Sequence, residues 1–85
     1  MTDRRSDKRL RDVSTDAQRN RLLERLQVGP VDTFTARKEL NISHPAGRVQ
    51  ELREAGHPIF THRQTIHDDQ GRPHRGCALY YMRTA

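Results

Sequence analysis

The chain has 85 residues, enough for one small domain and little more. Its 16 Lys and Arg residues outnumber its 11 Asp and Glu residues, so the formal net charge is +5 and a polyanion is the first partner to consider. We expect no membrane span and no signal peptide, and the single cysteine excludes an internal disulfide framework. A domain of this size also rarely encloses an enzyme pocket. These features predict a soluble cytoplasmic protein that binds through its surface.

The N-terminal segment, residues 1–13, is predicted to be a flexible basic arm. Its first twelve residues, MTDRRSDKRLRD, include only one sizeable apolar side chain, Leu10, so the segment has little to bury. The arm is interpreted either as a contact for phosphate groups or as a solubilising tail. The folded domain is predicted to span residues 14–85.

The first predicted helix begins at a capping box and ends at a glycine-proline pair. Thr15 is the predicted N-cap, and Gln18 is expected to reach back to it. Gly29 is expected to supply a left-handed cap, and the proline that follows cannot continue the helix. The residues at the spacing of one buried face are Leu22, Leu23 and Leu26, and those expected to reach water are Arg19, Arg21 and Arg25.

A second, shorter helix is predicted after a short extended strand at residues 31–32. Asp32 or Thr33 is the predicted cap, and the helix is expected to cover roughly residues 34–40. Phe34 and Leu40 are spaced so that both can turn toward the core.

A third helix is predicted after a tight turn, in which Asn41 is expected to adopt the left-handed conformation. Ser43 or His44 is the predicted cap, and Pro45 occupies the first turn, where its missing amide costs nothing. Gly56 is expected to end the helix. The predicted apolar face consists of Ala46, Val49 and Leu52.

From residue 58 onward, two β-rich runs are separated by turn-forming residues. Residues 59–66 and 77–82 are predicted to be strands joined by a turn at residues 68–73, which together form a hairpin. Alternation along the second strand places Ala78, Tyr80 and Met82 on one face, and we expect the Tyr80 ring to be buried.

Two short helices joined by a tight turn and followed by a β-hairpin form a winged helix-turn-helix domain, an α+β fold with three helices and a C-terminal wing. Residues 15–57 resemble a family of small winged helix-turn-helix proteins that is common in bacteriophages, prophages and other mobile elements. The matching segments are residues 18–23 (QRNRLL), 29–31 (GPV), 33–42 (TFTARKELNI), 45–53 (PAGRVQELR) and 56–59 (GHPI). This resemblance implies a bacterial or viral DNA-binding protein with a regulatory role and no catalytic activity.

The third helix is the predicted reading element, because its N-terminal half meets base edges in such domains. Arg48 is expected to pair with guanine, Gln50 with adenine, and Glu51 either to accept from a cytosine amine or to repel phosphate. Gly47 is expected to let the backbone approach DNA closely. The predicted DNA-binding residues on this segment are Ser43, His44, Gly47, Arg48, Gln50 and Glu51.

The hairpin is predicted to be a basic wing, with Arg63, Arg72 and Arg75 as its DNA contacts. Arg72 lies near the hairpin tip, where it is expected either to reach the minor groove or a phosphate, or to be a solvated turn residue. One copy of such a domain reads only a few base pairs, so we expect a weak or DNA-assisted homodimer on double-stranded DNA.

The charge balance of residues 31–55 is consistent with a different function. This segment contains four basic and four acidic residues, so it carries no net charge. A neutral surface suits a winged helix that docks on a host or viral protein. Arg48 is nevertheless interpreted as a base contact rather than as a surface ion pair. Arg53 is expected to lay its stem on the rim of the core and to pair with a carboxylate.

The sequence predicts neither a cofactor nor a metal site. His62, His67, His74 and Cys77 are zinc-ligand types, but their spacings match no standard zinc module. The chain also has no nucleophile elbow, no paired carboxylates in an apolar setting and no phosphate-binding glycine loop.

Overall fold

The computed structural model describes residues 12–83, which form three helices and one sheet. The elements are helix α1 (Thr15–Val28), strand β1 (Val31–Asp32), helix α2 (Thr33–Glu39), helix α3 (Pro45–Glu54), strand β2 (Ile59–His67) and strand β3 (Pro73–Met82). Most of the predicted arm lies outside the described residues. Its last two residues, Asp12 and Val13, both accept hydrogen bonds from α1 side chains through their carbonyl oxygens.

The three strands form an antiparallel sheet in the order β1-β3-β2. Val31 of β1 lies opposite Tyr80 of β3, which confirms the short strand predicted at residues 31–32 and gives its pairing partner. A two-residue segment carries no strand signal of its own, so its pairing depends on β3 being in place. Three helices combined with this sheet order are a winged helix-turn-helix fold, which confirms the predicted fold class.

The hairpin of β2 and β3 contains an irregularity in its ladder between Gln64 and Ile66. Gly76 lies on the facing strand at this point, with a φ of 68° that favours glycine. An extra residue in one strand bends the hairpin and increases its twist. The irregularity therefore changes the direction in which the tip of the wing points relative to its base.

The hydrophobic core lies between the helices and one face of the sheet. Its buried residues are Leu22, Leu26, Val31, Ala36, Ile42, Val49, Leu52, Ile59, Ala78 and Tyr80. Ala78 and Tyr80 are buried as predicted, and Met82 packs against the core from the same face. The prediction for Ala46 was wrong, because Ala46 is exposed and Pro45 is buried. Pro45 precedes Val49 by four residues, which places both on one helical face.

The N-cap of helix α1 lies one residue earlier than the sequence predicted. Ser14, not Thr15, is the N-cap, and its hydroxyl accepts from the Ala17 amide at 3.2 Å. Gln18 does not complete a capping box, since its side chain is buried and donates to the Val13 carbonyl at 2.7 Å. At the other end Gly29 has a φ of 170°, so its backbone is extended and not left-handed as predicted.

Arg21 is buried rather than solvated, which corrects the prediction that it reaches water. Its side chain lies on the buried face of α1, and the residue is only 6% exposed. Nε donates to the Leu40 carbonyl at 2.7 Å, and Nη1 donates to the Asp12 carbonyl at 2.7 Å. The guanidinium therefore joins α1 to the turn that follows α2.

Helix α2 is capped by Asp32, whose Oδ1 accepts from the Thr35 amide at 2.8 Å. The turn after α2 contains Asn41 at a φ of 53°, which confirms the predicted left-handed residue. Leu40 packs against the core as predicted. Phe34 is only half-buried, and its ring contacts His74 on the wing.

The end of α3 is joined to the start of β2 by Arg53. Its Nε donates to the Ile59 carbonyl at 2.7 Å, and Nη2 donates to the Thr61 hydroxyl at 2.6 Å. These contacts replace the carboxylate partner that was predicted for Arg53. The chain turns after α3 at Gly56, as predicted, with a φ of 101°.

Candidate nucleic-acid interface

The segment that leads into α3 is exposed, and the helix begins without a side-chain cap. Ser43 and His44 are both exposed, and His44 occupies the N-cap position without donating or accepting a capping hydrogen bond. Only the His44 carbonyl contributes to the first turn, accepting from Gly47 at 3.2 Å and from Arg48 at 3.3 Å. Ser43 and His44 are thus presented on the surface just before α3 begins.

The His44 imidazole packs directly against Gly47, in the space that a larger side chain at position 47 would occupy. A Cβ atom added at Gly47 would lie 2.5 Å from the His44 Cδ2 atom, closer than real Cβ atoms come to any neighbour. A larger residue at this position would displace the imidazole. In the free protein the group next to Gly47 is therefore the side chain of His44, the residue that precedes α3.

Arg48 and Glu51 form an ion pair one turn apart on α3. Arg48 Nε lies 2.8 Å from Glu51 Oε1, and Arg48 Nη2 donates to Glu51 Oε2 at 3.3 Å. The Nε–H group is not aimed at the carboxylate oxygen, so the hydrogen bond of this pair is the one from Nη2. The pair leaves the Arg48 side chain 16% exposed.

Glu51 also binds a cation from α1, which the sequence analysis did not find. Arg19 Nη1 donates to Glu51 Oε1 at 3.1 Å, and this bond raises the pKa of Arg19 above its ordinary value. Asp16, also on α1, pairs with Arg19. Arg19 and Glu51 are 32 residues apart, so only the packing of α1 against α3 brings them together.

Gln50, the other predicted base-reading residue, is exposed on α3. Its Nε2 donates to Glu54 Oε1 at 3.3 Å. This contact is a surface hydrogen bond between side chains four residues apart, and it holds the amide loosely. Gln50 is thus more accessible to a partner than Arg48 is.

The tip of the wing is organised by Asp68. Its Oδ1 accepts from the backbone amides of Gln70 and Arg72, each at 2.9 Å, while its Oδ2 lies 2.9 Å from His74 Nε2. The hydrogen bond with His74, followed by that with the Arg72 amide, holds the pKa of Asp68 below its ordinary value. Arg72 Nε lies 3.3 Å from the same carboxylate, but the Arg72 side chain is 69% exposed.

The wing tip contacts α2. Asp69 forms an ion pair with Lys38, and this bond raises the pKa of Lys38 above its ordinary value. Phe34 and His74 meet with ring centroids 4.7 Å apart. Between α2 and the tip lies an open cleft of about 540 Å³, beside which Arg37 is an exposed cation that the sequence analysis did not include in the site.

The remaining wing arginines differ in their surroundings. Arg63 Nη1 donates to the Gly76 carbonyl at 3.1 Å, across the irregular part of the ladder. Arg75 is exposed, with no charged or hydrogen-bonding partner among residues 12–83. Near the base of the hairpin, the Arg83 guanidinium lies 5.3 Å from the centre of the Phe60 ring.

The predicted DNA-binding residues therefore fall into two groups. One group lies on or just before α3, and the other is distributed along the wing. No group of three or more His, Cys, Asp and Glu residues within the described part of the chain is placed to hold a metal ion. No helix among residues 12–83 is long and apolar enough to cross a membrane.

An exposed helix-turn-helix unit beside an arginine-bearing hairpin defines a winged helix-turn-helix domain. Comparison with models of protein families matches residues 17–85 to the family described as "Winged helix-turn-helix domain", and the chain belongs to this family. Comparisons with curated proteins and with solved structures give no match. Membership of the family suggests DNA binding, and domains of this class are typically non-enzymatic.

Proposed function

We propose that the chain is a sequence-specific regulator that binds double-stranded DNA. In this proposal α3 enters the major groove, and the wing follows the adjacent minor groove or phosphate backbone. A role in transcription or in the control of a mobile element, at the nucleoid of a bacterial or phage-infected cell, is supported by the resemblance to phage and prophage proteins.

The observation that carries the proposal is the excess of positive charge on the wing of a domain of this family. Asp68 and Asp69 are the only acidic residues after residue 54, and both are ion-paired. The Arg75 side chain has no charged partner among residues 12–83, and the Arg72 side chain, although paired with Asp68, is 69% exposed. A surface of exposed cations with no free carboxylate suits a phosphate backbone, because neutralising phosphates releases counterions.

The proposed division of labour follows the two groups of residues. On α3, Arg48 and Gln50 would read base edges, with Ser43, His44 and Gly47 at the surface of closest approach. On the wing, Arg63, Arg72 and Arg75 would contact phosphate or the minor groove. Readout by α3 supplies sequence preference, and the wing supplies affinity for any duplex.

The salt dependence of binding tests the proposal. Fluorescence anisotropy would follow binding to a random duplex and to the sequence recovered by selection from a random pool, at several salt concentrations. We expect log K to fall linearly with log salt, with a slope of roughly −0.9 for each phosphate contacted. Absence of any salt-dependent duplex binding, and recovery of no preferred sequence, would contradict the proposal.

A second candidate function is docking on a host or viral protein. The observation that favours it is the ion pair between Arg48 and Glu51, which neutralises the middle of α3. A largely neutral protein interface responds little to salt. Binding to a protein partner that is unchanged across the salt range in which duplex binding is lost would support this candidate.

A DNA-assisted homodimer follows from the small reading surface of one domain. The described part of each copy has a single reading helix, α3, and a helix of this kind contacts only a few base pairs. Two half-sites in the selected sequence, occupied by two copies in the complex but by one copy in free solution, would support this pairing. Mass measurement of the free protein and of the complex distinguishes these states.

A further inference from the structure

The carboxylate of Glu51 lies between two arginines from different helices. Arg19 of α1 donates to its Oε1 at 3.1 Å, and Arg48 lies 2.8 Å from the same oxygen through Nε. Glu51 is itself only partly exposed, with 37% of its side chain accessible. Because α1 holds the carboxylate from one side, its position is fixed independently of Arg48.

Glu51 engages one particular edge of the Arg48 guanidinium. The atoms that face the carboxylate are Nε and Nη2, which form the side edge of the planar group. Within the described residues, Nη1 has no partner, so the terminal edge of the guanidinium stays available. That terminal edge is sufficient for a bidentate contact with guanine.

Sequence preference depends on what Arg48 meets when DNA binds. A long, unrestrained arginine on a reading helix is attracted to the nearest phosphates, which carry no sequence information directly. An arginine held along its side edge loses this freedom, since moving to a phosphate requires breaking the ion pair. Contact between its terminal edge and a base requires no such break.

We propose that Glu51 is a positioning residue that directs Arg48 to a base and away from the phosphates, without itself contacting DNA. This inference rests on the proposed function and replaces the cytosine contact expected from the sequence. Arg19 acts as the anchor that fixes the carboxylate from α1. Glu51 thereby determines specificity through the side chain that it restrains.

The test compares Glu51→Gln with Glu54→Gln. Both changes remove one negative charge from α3. Within residues 12–83, however, the Glu54 side chain is hydrogen-bonded to Gln50 and paired with neither Arg19 nor Arg48. For each variant, affinity would be measured on the parent's selected site and on a random duplex across a salt series. We expect Glu51→Gln to lower the ratio of the two affinities about tenfold, the size of one good base contact.

The same variant should bind random DNA more tightly and show a salt slope steeper by roughly one unit, since the freed Arg48 gains a phosphate contact. Glu54→Gln should keep the affinity ratio of the parent within about twofold, because the new amide oxygen can still accept from Gln50 and the change does not touch Arg48. An unchanged ratio and an unchanged base preference in Glu51→Gln would overturn the inference.

A double-mutant cycle separates positioning from a purely structural role. In an Arg48→Ala background, Glu51→Gln should have no further effect on the affinity ratio, whereas a structural effect through Arg19 would persist. Arg48→Lys tests the same idea while leaving Glu51 and Arg19 intact. Lysine keeps the positive charge but has no guanidinium edge for Glu51 to restrain. It should lose the ratio to the same extent, and a retained ratio would count against the inference.

These outcomes are distinguishable from failure of the proposed function itself. If the parent protein binds no duplex in a salt-dependent manner, the proposed function fails before any variant is compared. If the parent binds DNA with sequence preference and Glu51→Gln behaves as Glu54→Gln does, only the role of Glu51 is rejected. Amide spectra of each variant would verify that the fold is retained.

Discussion

The guanidinium of Arg21 donates to the carbonyl of Leu40 at 2.7 Å, and this bond joins α1 to the turn between the two helices of the helix-turn-helix unit. Leu40 closes α2, so its carbonyl is one of the acceptors that a helix end leaves without an intrahelical donor. A buried cation satisfies it from another helix. The relative placement of α1 and the reading unit thus depends on a polar contact.

Replacing Arg21 with methionine should therefore destabilise the domain. Methionine replaces the aliphatic stem of the arginine but leaves the carbonyls of Leu40 and Asp12 without the guanidinium donor. We expect a loss of about 2–4 kcal/mol in the free energy of unfolding, the range for buried groups that lose their partners. Urea denaturation measures it.

Arg25→Met is the matched control for that experiment. Arg25 lies on the same helix and donates to the carbonyl of Gly29 at 3.2 Å near the surface. Its loss should cost less than about 1 kcal/mol. Equal destabilisation by the two changes would show that the buried hydrogen bonds of Arg21 contribute no more to stability than the contact of Arg25 does.

Ser14→Ala should destabilise α1, whereas Thr15→Ala should not. The Ser14 hydroxyl satisfies the Ala17 amide, and Thr15 is the first residue of the helix proper. Loss of a serine cap costs about 0.5–2 kcal/mol. Thermal unfolding of the two variants gives the comparison directly, and a larger loss from Thr15→Ala would return the cap to the position predicted from sequence.

The wing tip should reorganise in acid because of Asp68. Its pKa is held below the ordinary value in the folded protein, so its contribution to stability is present above the ordinary pKa. That contribution is lost as the pH falls below about 4 and through the lowered pKa. The amide resonances of Gln70 and Arg72, which donate to Asp68, should shift in this window.

Two variants test this assignment of the acid transition. Asp68→Asn should remove it from the amide resonances. His74→Ala should move the pKa of Asp68 back toward its ordinary value, because the hydrogen bond with His74 is the largest cause of the shift. A transition that survives in Asp68→Asn would belong to another group.

Arg48→Ala should weaken binding to the selected DNA site and relax the preference at one base position. The expected cost is about 1–3 kcal/mol, and affinity for random DNA should change little. Anisotropy titrations on single-base variants of the site measure both effects. Equal loss on every sequence would indicate that Arg48 contacts phosphate.

Arg72→Ala should weaken binding to selected and random DNA alike. Its side chain is mostly exposed at the wing tip, so we expect it to contribute through phosphate or groove electrostatics. The salt slope should fall by roughly one unit. Base preference that changes in this variant would assign a reading role to the wing.

Much of the fold was predictable because its signals are local. Asn41 turned the chain and Gly56 separated α3 from the hairpin through left-handed conformations open to those residue types, and Pro30 stopped the first helix because proline cannot continue one. The spacing of apolar residues identified the buried faces of α1 and α3. The predicted DNA contacts on α3 and the wing stay predictions.

Local signals failed where two residue types could play the same part or where the partner lay far along the chain. Ser14 and Thr15 are both residue types that cap helices well. Which of the two is the N-cap depends on the backbone conformation and contacts of the folded chain. Arg21 follows the spacing of the buried face, but a charged residue is normally exposed. Its acceptors in the turn after α2, the carbonyls of Leu40 and Asn41, lie 19 and 20 residues away along the chain.

The sequence by itself therefore determined the order of helices and strands, since chain stiffness and apolar periodicity act over a few residues. Only the tertiary structure decided the charge pairs, such as Glu51 with Arg19 and Asp69 with Lys38, whose members are 32 and 31 residues apart. An exposed cation gains little from any one surface carboxylate, so its partner is selected by the packing that brings a carboxylate within reach.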